Sequence, residues 1–357
     1  MAVTQVQLAK KLGVSQRTVS VALSGSGHIN EVTRARVLKQ AQRLGYRPNH
    51  VAASLKNGRT RTLGAVWAFN HPWTGDAQIG MDLMQRVQAR GMSTYQVHHG
   101  DSRAIDQLVT RLGELVSRQV DAIAIRATPE ELLHPQVLRL IRDTPTVAIS
   151  REDLPDFPGD LVVHDRTAAI HEVVDHLVGS GRRRIGFALS SQEPANVGKI
   201  ASFQQRLRHH ELPRHAHELI DLARPDSFQN HGERHRDAMQ RQFPERVDLD
   251  AIFAFHDVGA MYIANDLQRR GLRVPEDVAL VGFNDTEPAA VWQPPLATGD
   301  RRYAQAADAM DRLLERRMAQ PDLPPQRHTI AMRFIWRASA GGDPTRTASH
   351  SPGEPES

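Results

Sequence analysis

Apolar positions along this chain follow two rhythms, and the change between them falls near residue 61. Before it, they recur in short helical stretches. Thr4 opens a Thr-x-x-Gln sequence closed by Gln7, a pairing in which side chain and backbone cap each other at a helix start. Leu8, Ala9 and Leu12 supply an apolar stripe, and Gly13 predicts the stop. Ser15 predicts the cap of a second helix. At the helical repeat of about 3.6 residues, Gln16, Arg17, Ser20 and Val21 share one arc of it, and Thr18, Val19, Ala22 and Leu23 the other. The second arc can bury against the first helix, which leaves a short, polar, donor-rich face outside. Two short helices joined by a small turn in this way predict a helix-turn-helix. A third helix, from Asn30 as cap through Val37, Leu38, Ala41 and Leu44 to Gly45, closes the small core. The stretch from Asn49 to Gly58 reads as one or two turns of weak helix, too short to be stable alone.

Beyond residue 61, short apolar runs alternate with amphipathic stretches. LGAVWAF (63–69), TYQV (94–97), AIAI (122–125), TVAIS (146–150), LVV (161–163), RIGFAL (184–189), AIFAF (251–255) and VALVGF (278–283) predict strands. The segments near 77–90, 103–118, 130–142, 167–179, 197–211, 229–242, 257–271 and 301–318 predict helices. Strands that alternate with helices imply parallel sheets covered on both faces. This is more than one sheet needs, so two similar subdomains are expected. TIAMRFIWRAS (329–339) reads as strand, and the Gly/Ser/Pro-rich end that follows predicts disorder.

Charge changes the picture at one end. Net charge is +4 over 357 residues, but residues 1–61 hold eleven Lys/Arg against the single acid Glu31, or +10, which leaves −6 for the rest. A basic head on a mildly acidic body is either a solvated helix set or the footprint of a polyanion partner. No apolar run approaches the ~18 residues of a membrane span, and MAVTQVQLAKK carries no signal-peptide stretch. The chain has no cysteine, so it can form neither a disulfide nor a thiolate site. A cytoplasmic protein fits these features.

Val3-Thr4, the run LGVSQRTVSVALSG, Thr33-Arg34, GYRPN and the VAASL segment resemble the DNA-binding headpiece of the LacI/GalR family of bacterial repressors. The resemblance implies that Gln16, Arg17 and Val21 face base edges in the major groove. Thr4, Ser15, Thr18, Ser20, His28, Asn30, Thr33, Tyr46 and Asn49 would hold phosphates or position the fold. Arg17 has the bidentate fork that suits guanine, Gln16 suits adenine or phosphate, and Val21 offers apolar contact as to a thymine methyl. Many relatives carry a longer polar or basic side chain at the position of Val21. Leu55 either packs the weak helix onto the body or, as the resemblance implies, wedges the central base step open through the minor groove.

The resemblance continues through GRRRIGFAL, DAIFAFHD and GLRVPEDVALVGFND followed by PPLAT, which are similar to the family's sensor domain. It implies two lobes like those of periplasmic sugar-binding proteins, three crossovers and a ligand in the cleft. Ligands in open α/β sheets sit beyond the carboxyl ends of strands. By that position the effector candidates are Asn70, Trp73, Arg126, Arg151 and Asp165 from the first lobe. Lys199, Phe228, Asp257, Asn284, Asp285 and Trp292 come from the second. Asp165, Asp257 and Asp285 have an equally good reading as helix caps. Lys199 stands where relatives typically have an arginine, and Asn284 where many have an aspartate; both keep a polar site suited to a hydroxylated ligand.

Other chemistry finds little support. His171-Glu-Val-Val-Asp-His176 nearly imitates a zinc-binding HExxH, but the second histidine is one residue late and falls on another helix face. His231 and His235 share a helix face without a third ligand at fitting spacing. No metal, cofactor or catalytic constellation is therefore expected. The expected architecture is an all-α helix-turn-helix headpiece (1–47), a hinge helix and linker (48–61), an α/β two-lobed periplasmic-binding-protein-like sensor and dimerisation domain (62–340), and a disordered tail (341–357). The expected partners are double-stranded operator DNA, a small, sugar-like effector and a second copy of the chain, with no membrane. The C-terminal end has none of the leucine heptads that join some family members into tetramers, so a homodimer is expected.

Overall fold

The computed structural model describes residues 3–24, 27–46, 59–67, 76–98, 105–189, 196–213, 217–221 and 231–342. The chain forms two compact units, Met1–Thr60 and Arg61–Ser357, each described here by itself.

The first unit contains α1 (Gln5–Leu12), α2 (Gln16–Ser24) and α3 (Glu31–Arg43). Local chemistry sets each boundary. Thr4 and Gln7 form the reciprocal cap of α1, and Gly13 ends it at a φ of 65°, in the left-handed region that glycine enters without cost. The Ser15 hydroxyl accepts from the Thr18 amide at 3.0 Å, and Asn30 accepts from the Val32 amide at 2.8 Å. Leu8, Ala9, Val19, Ala22, Val37 and Ala41 form the core, with Leu12, Leu23, Leu44 and Tyr46 packed around it. So small a core, in a chain without cysteine, stabilises a domain only modestly.

The second unit runs β1 (Thr62–Trp67), α4 (Asp76–Ala89), β2 (Ser93–His98), α5 (Ile105–Ser117), β3 (Ala122–Arg126), α6 (Pro129–Leu132), α7 (Pro135–Ile141), β4 (Thr146–Ser150) and β5 (Asp160–Asp165). There follow α8 (Arg166–Gly179), β6 (Ile185–Leu189), α9 (Val197–His209), β7 (His217–Asp221), α10 (His231–Gln242), β8 (Ala251–Ala254), α11 (Asp257–Arg269) and β9 (Ala279–Val281). Last come α12 (Glu287–Val291), β10 (Thr298–Asp300), α13 (Tyr303–Ala319), β11 (Arg327–Ala331) and β12 (Arg333–Ile335).

These elements build two lobes. The first holds a parallel sheet in the order β11-β5-β4-β3-β1-β2. Leu63, Trp67, Ile79, Leu83, Ala306, Met310 and Leu314 fill one of its faces. Leu108, Leu112, Ile123, Val137 and Ile141 fill the other. The second lobe holds the parallel sheet β7-β6-β8-β9. One face carries a Phe cluster in which Phe187 and Phe253 stack with ring centroids 4.9 Å apart; α10 and α11 cover the other. Strands β3, β4, β6 and β8 are buried on both faces, which is why they read as near-continuous apolar runs.

The chain passes between the lobes three times. β5 ends at Asp165, and α8 begins at Arg166 with Ala169, Ile170, Val173 and Val174 buried in the second lobe. β10 pairs antiparallel with β12, and α13 then packs on the first lobe. β11 pairs with β5 in the first lobe, while Phe334 on β12 belongs to the second lobe's core. The single strand expected over 329–339 is therefore two, parted at Met332, each serving a different sheet. The helix expected over 130–142 is also divided, because His134 caps a new helix with Pro135 in its first turn. β7 and β10 were not expected; HELID and TGD carry too few apolar residues to stand out.

The first lobe is cross-braced by a buried ion pair. Asp160 is fully buried, and both its oxygens accept from the Arg317 guanidinium at 3.0 and 2.8 Å, while the Gln326 amide donates at 2.6 Å. The pair ties β5, α13 and the approach to β11 together. Asp160→Ala leaves Arg317 buried and uncompensated. It is expected to lower unfolding stability by about 3–5 kcal/mol, read as a reduced denaturant midpoint; a change under about 1 kcal/mol is the result that contradicts this role.

Candidate nucleic-acid interface and effector cleft

Burial along α2 divides the helix as its sequence pattern predicts. Val19 and Ala22 are buried and Leu23 packs on the core, whereas Gln16 and Arg17 are exposed and Ser20 and Val21 half-buried. The exposed arc thus offers one long fork, one amide and one hydroxyl on a helix held by a six-residue core. Val21 also closes over the backbone after α2: a Cβ built on Gly27 would stand 3.3 Å from its Cγ1. Ser15 and Thr18 share a hydroxyl contact of 2.8 Å besides the cap itself. The Tyr46 hydroxyl accepts from Gln5 Nε2 at 3.1 Å, which fixes the exit of α3 against α1. Thr4, His28 and Asn30 are exposed and Thr33 is half-buried. Asn49 and Leu55 lie outside the described residues.

In the second unit, a pocket opens where the first lobe's strands end. Arg126, Ala127, Ile149, Ser150, Arg151, His164, Arg166 and Arg301 line it. The register explains this convergence: Arg126, the last residue of β3, pairs with Ile149 on β4, and Ser150 pairs with Val163 on β5. Of the effector residues expected from sequence, Arg126 and Arg151 meet here. Lys199 approaches from the second lobe, its ammonium 3.9 Å from the centroid of the Phe255 ring and 2.5 Å from Asn196 Oδ1. Arg166 reaches the same ring at 5.9 Å.

The expected carboxylates are engaged within the protein. Asp165 caps α8 by accepting from the Ala168 amide at 3.1 Å. Asp257 is fully buried, with one oxygen on the Thr298 hydroxyl at 2.5 Å and the other on the Thr286 amide and hydroxyl at 2.7 and 2.9 Å. Burial pushes its carboxyl above the ordinary range, with the Thr286 and Thr298 bonds acting the other way. Asp285 pairs with Arg337 at 2.9 Å. Asn284 is buried, and it and Asp285 take consecutive positive φ values of 112° and 46°; Asn and Asp enter this region more readily than most residues. Trp292 packs against the second lobe's core. Asn70, Trp73 and Phe228 lie outside the described residues.

Sequence reasoning missed His164, Arg166, Arg301 and Phe255. Arg166 and Arg301 flank crossings between the lobes, and nothing local marks a crossing. His164 is buried, and its Nε2 donates to the Arg301 carbonyl at 3.0 Å, which leaves Nδ1 as an acceptor 3.4 Å from the Arg301 guanidinium. The imidazole thus contacts both the main chain and the guanidinium of Arg301.

The near-HExxH segment serves packing. Asp175 accepts two bonds from Arg206, at 2.6 and 2.7 Å, and one from His210 at 2.6 Å. His176 stacks on Trp336 at 3.6 Å, and burial lowers its pKa. Among the described residues, no three His, Asp or Glu side chains form a metal-binding group.

Residues 7–49 match the model for bacterial regulatory proteins of the lacI family, and residues 174–340 match that of a periplasmic binding protein-like domain. The chain is 27% identical over 326 residues to the HTH-type transcriptional repressor CytR of Escherichia coli, covering 89% of this chain and 91% of that protein. It is 26% identical over 345 residues to the ribose operon repressor of Escherichia coli, covering 94% and 99%. The crystal structure of the lac repressor dimer bound to operator and the anti-inducer ONPF superposes with a TM-score of 0.79 at 20% identity, over 95% of this chain and 99% of that one. That last likeness is one of fold: a helical headpiece followed by two α/β lobes.

Ser15 holds the first turn of α2, the turn that carries Gln16 and Arg17. Ser15→Ala is expected to cost the first unit about 1 kcal/mol, seen as a lower thermal midpoint of its helical signal. An unchanged midpoint contradicts the cap.

Proposed function

We infer that this chain, which belongs to the lacI family of bacterial regulatory proteins, is a cytoplasmic transcriptional repressor. It binds a pseudo-palindromic operator as a dimer and is controlled by a small, sugar-like effector held between its two lobes. The observation that carries the reading is the division of α2: a buried seam beneath, and Gln16 and Arg17 exposed in a unit with nine positive charges in excess. A helix-turn-helix presents its second helix to the major groove, and a two-fold dimer spaces two such helices by about one turn of DNA.

In this reading Arg17 grips guanine, Gln16 meets adenine or phosphate, and Val21 meets a thymine methyl. Thr4, Ser15, Thr18, Ser20, His28, Asn30, Thr33, Tyr46 and Asn49 set the headpiece on the backbone. Leu55 of each subunit enters the minor groove at the central step. The effector lies at the strand ends, against Arg126 and Arg151 from one lobe and Lys199 from the other, with Asn70, Trp73 and Phe228 completing the site. Asp165, Asp257, Asn284, Asp285 and Trp292 shape the walls around it. The work is binding rather than turnover.

Control follows from the chain passing between the lobes only at the three crossings. An effector with different affinity for open and closed lobes shifts their balance, and ~2–3 kcal/mol of coupling changes operator affinity about 50-fold. One with equal affinity for both states changes nothing.

Genomic fragments retained on purified protein at two salt concentrations test the reading. A shared pseudo-palindrome that survives the higher salt supports a specific dimeric reader; retention without a common motif, lost at higher salt, leaves only phosphate binding. On the retained operator, Arg17→Ala is expected to relax base preference by about 1–3 kcal/mol. Leu55→Ala is expected to weaken operator binding while leaving effector binding intact; an unaltered operator affinity sinks the wedge.

A further inference from the structure

The residue that opens the second unit is held in an unusual backbone conformation. Arg61 has a φ of 51°, in the left-handed region that few side chains enter. Strain of this kind persists only where the surroundings over-determine it, and it gathers at switch regions. Here the Arg61 amide donates to Asp121 Oδ2 at 2.8 Å, and its carbonyl accepts from the Ser93 amide at 2.8 Å. Its guanidinium donates to the Arg90 carbonyl at 3.3 Å and packs against Gly91, where a Cβ would stand 3.2 Å from it.

Arg90 is in turn held by α13. Its guanidinium lies 2.5 Å from Asp311 and 3.6 Å from Glu315. The Asp311 side chain is 14% exposed, and burial pushes its carboxyl up while Arg90 acts the other way. A pair so enclosed is little screened by salt. Met310, Leu313 and Leu314 of α13 share a core with Ile79, Leu83 and Val87 of α4, so the two helices are packed along their length.

At its start α13 meets the second lobe. Its first residue is Tyr303, whose hydroxyl donates to the Asn284 carbonyl at 2.9 Å, although the helix itself packs on the first lobe. Asn284, Asp285 and Arg302 around this bond also have positive φ, of 112°, 46° and 51°. From Tyr303 to Asp311 the helix spans ~12 Å, at about 1.5 Å per residue. Packed helices answer a push by shifting ~1–2 Å as units. One helix therefore touches the mobile lobe at its start and holds Arg90 near its middle.

We propose that Arg90 is a positioning residue for the control of DNA binding. When the lobes move, α13 carries the displacement of the Asn284 turn to Arg90 and on to Arg61, where the chain leaves for the first unit. The proposal rests on the repressor reading above and names the route by which the cleft acts on the operator.

Spatial continuity does not establish such a route, but non-additivity does. In the full chain, Tyr303→Phe keeps the ring and removes the hydroxyl at the cleft end. Arg90→Gln combined with Asp311→Asn removes the ion pair without leaving a buried carboxylate uncompensated. Arg61→Gly suits the left-handed φ and cuts the same route at its far end. Arg86→Gln, the control, removes the neighbouring α4–α13 pair of 2.8 Å to Asp308, which keeps Arg312. Two quantities are read: affinity for the retained operator, and hydrogen exchange of the Ser93 amide, which reports the bond to Arg61 and needs no DNA. Tyr303→Phe alone is expected to change both by about threefold or more. That effect is expected to vanish in the Arg90/Asp311 and Arg61→Gly backgrounds. It is expected to persist with Arg86→Gln and with Arg90→Lys, which keeps a cation opposite Asp311. Thermal midpoints separate a folding loss from a loss of coupling. An equal effect of Tyr303→Phe with and without the ion pair overturns the route, as does a Ser93 amide indifferent to it. A coupled Ser93 amide beside an unmoved operator affinity overturns control through Arg61. If the unaltered chain retains no operator, the repressor reading falls, and the exchange cycle alone decides the route.

Discussion

β5 ends at Asp165 in the first lobe, and the next residue begins a helix whose apolar face is sealed into the second. The same abrupt change recurs between β10 and α13 and between β11 and β12. Each lobe is a close-packed sheet with helices on both faces, and such a body does not deform continuously. Relative movement of the lobes is therefore confined to the few residues at the three crossings. The polar network of Asp257, Thr286 and Thr298 and the His164–Arg301 contact stand beside those residues. A ligand bound there sits against the part of the unit that can change.

The same constraint explains the pocket's charge. Arg126 and Arg151 arrive on strand ends, whereas Arg166 and Arg301 arrive on crossings, and only the assembled lobe brings the four together. Two aspartates beside the crossings serve the architecture. Asp165 satisfies an orphan amide of α8, and Asp257 binds two segments of the second lobe to the start of α11. Gly282 allows this last arrangement, since a Cβ there would collide with the Asp257 carboxylate.

The first unit meets a different problem. Its core is small, so boundary chemistry carries a larger share of its stability than in the lobes. Four local devices, at Thr4, Gly13, Ser15 and Asn30, start and stop its helices. They leave Gln16 and Arg17 exposed on the outer arc of α2, and these are the side chains of that arc with the longest reach.

These devices are also why the first unit was legible in the sequence. A capping box, a left-handed glycine and an amphipathic arc are fixed by residues within a turn of one another, so their pattern survives in one dimension. Most strands of the lobes were legible for a related reason, because burial on both faces writes a continuous apolar run. HELID and TGD lacked that run, and TIAMRFIWRAS hid a change of sheet at Met332, since both halves are apolar and the partner strands are remote in sequence. By itself the sequence determined the helix-turn-helix, the alternating α/β order and the concentration of positive charge at one end. Tertiary structure decided which aspartates were consumed as anchors and which arginines share a pocket. Those outcomes depend on contacts between residues up to 175 positions apart, such as Arg126 and Arg301 in one lining, and no local pattern encodes such a distance.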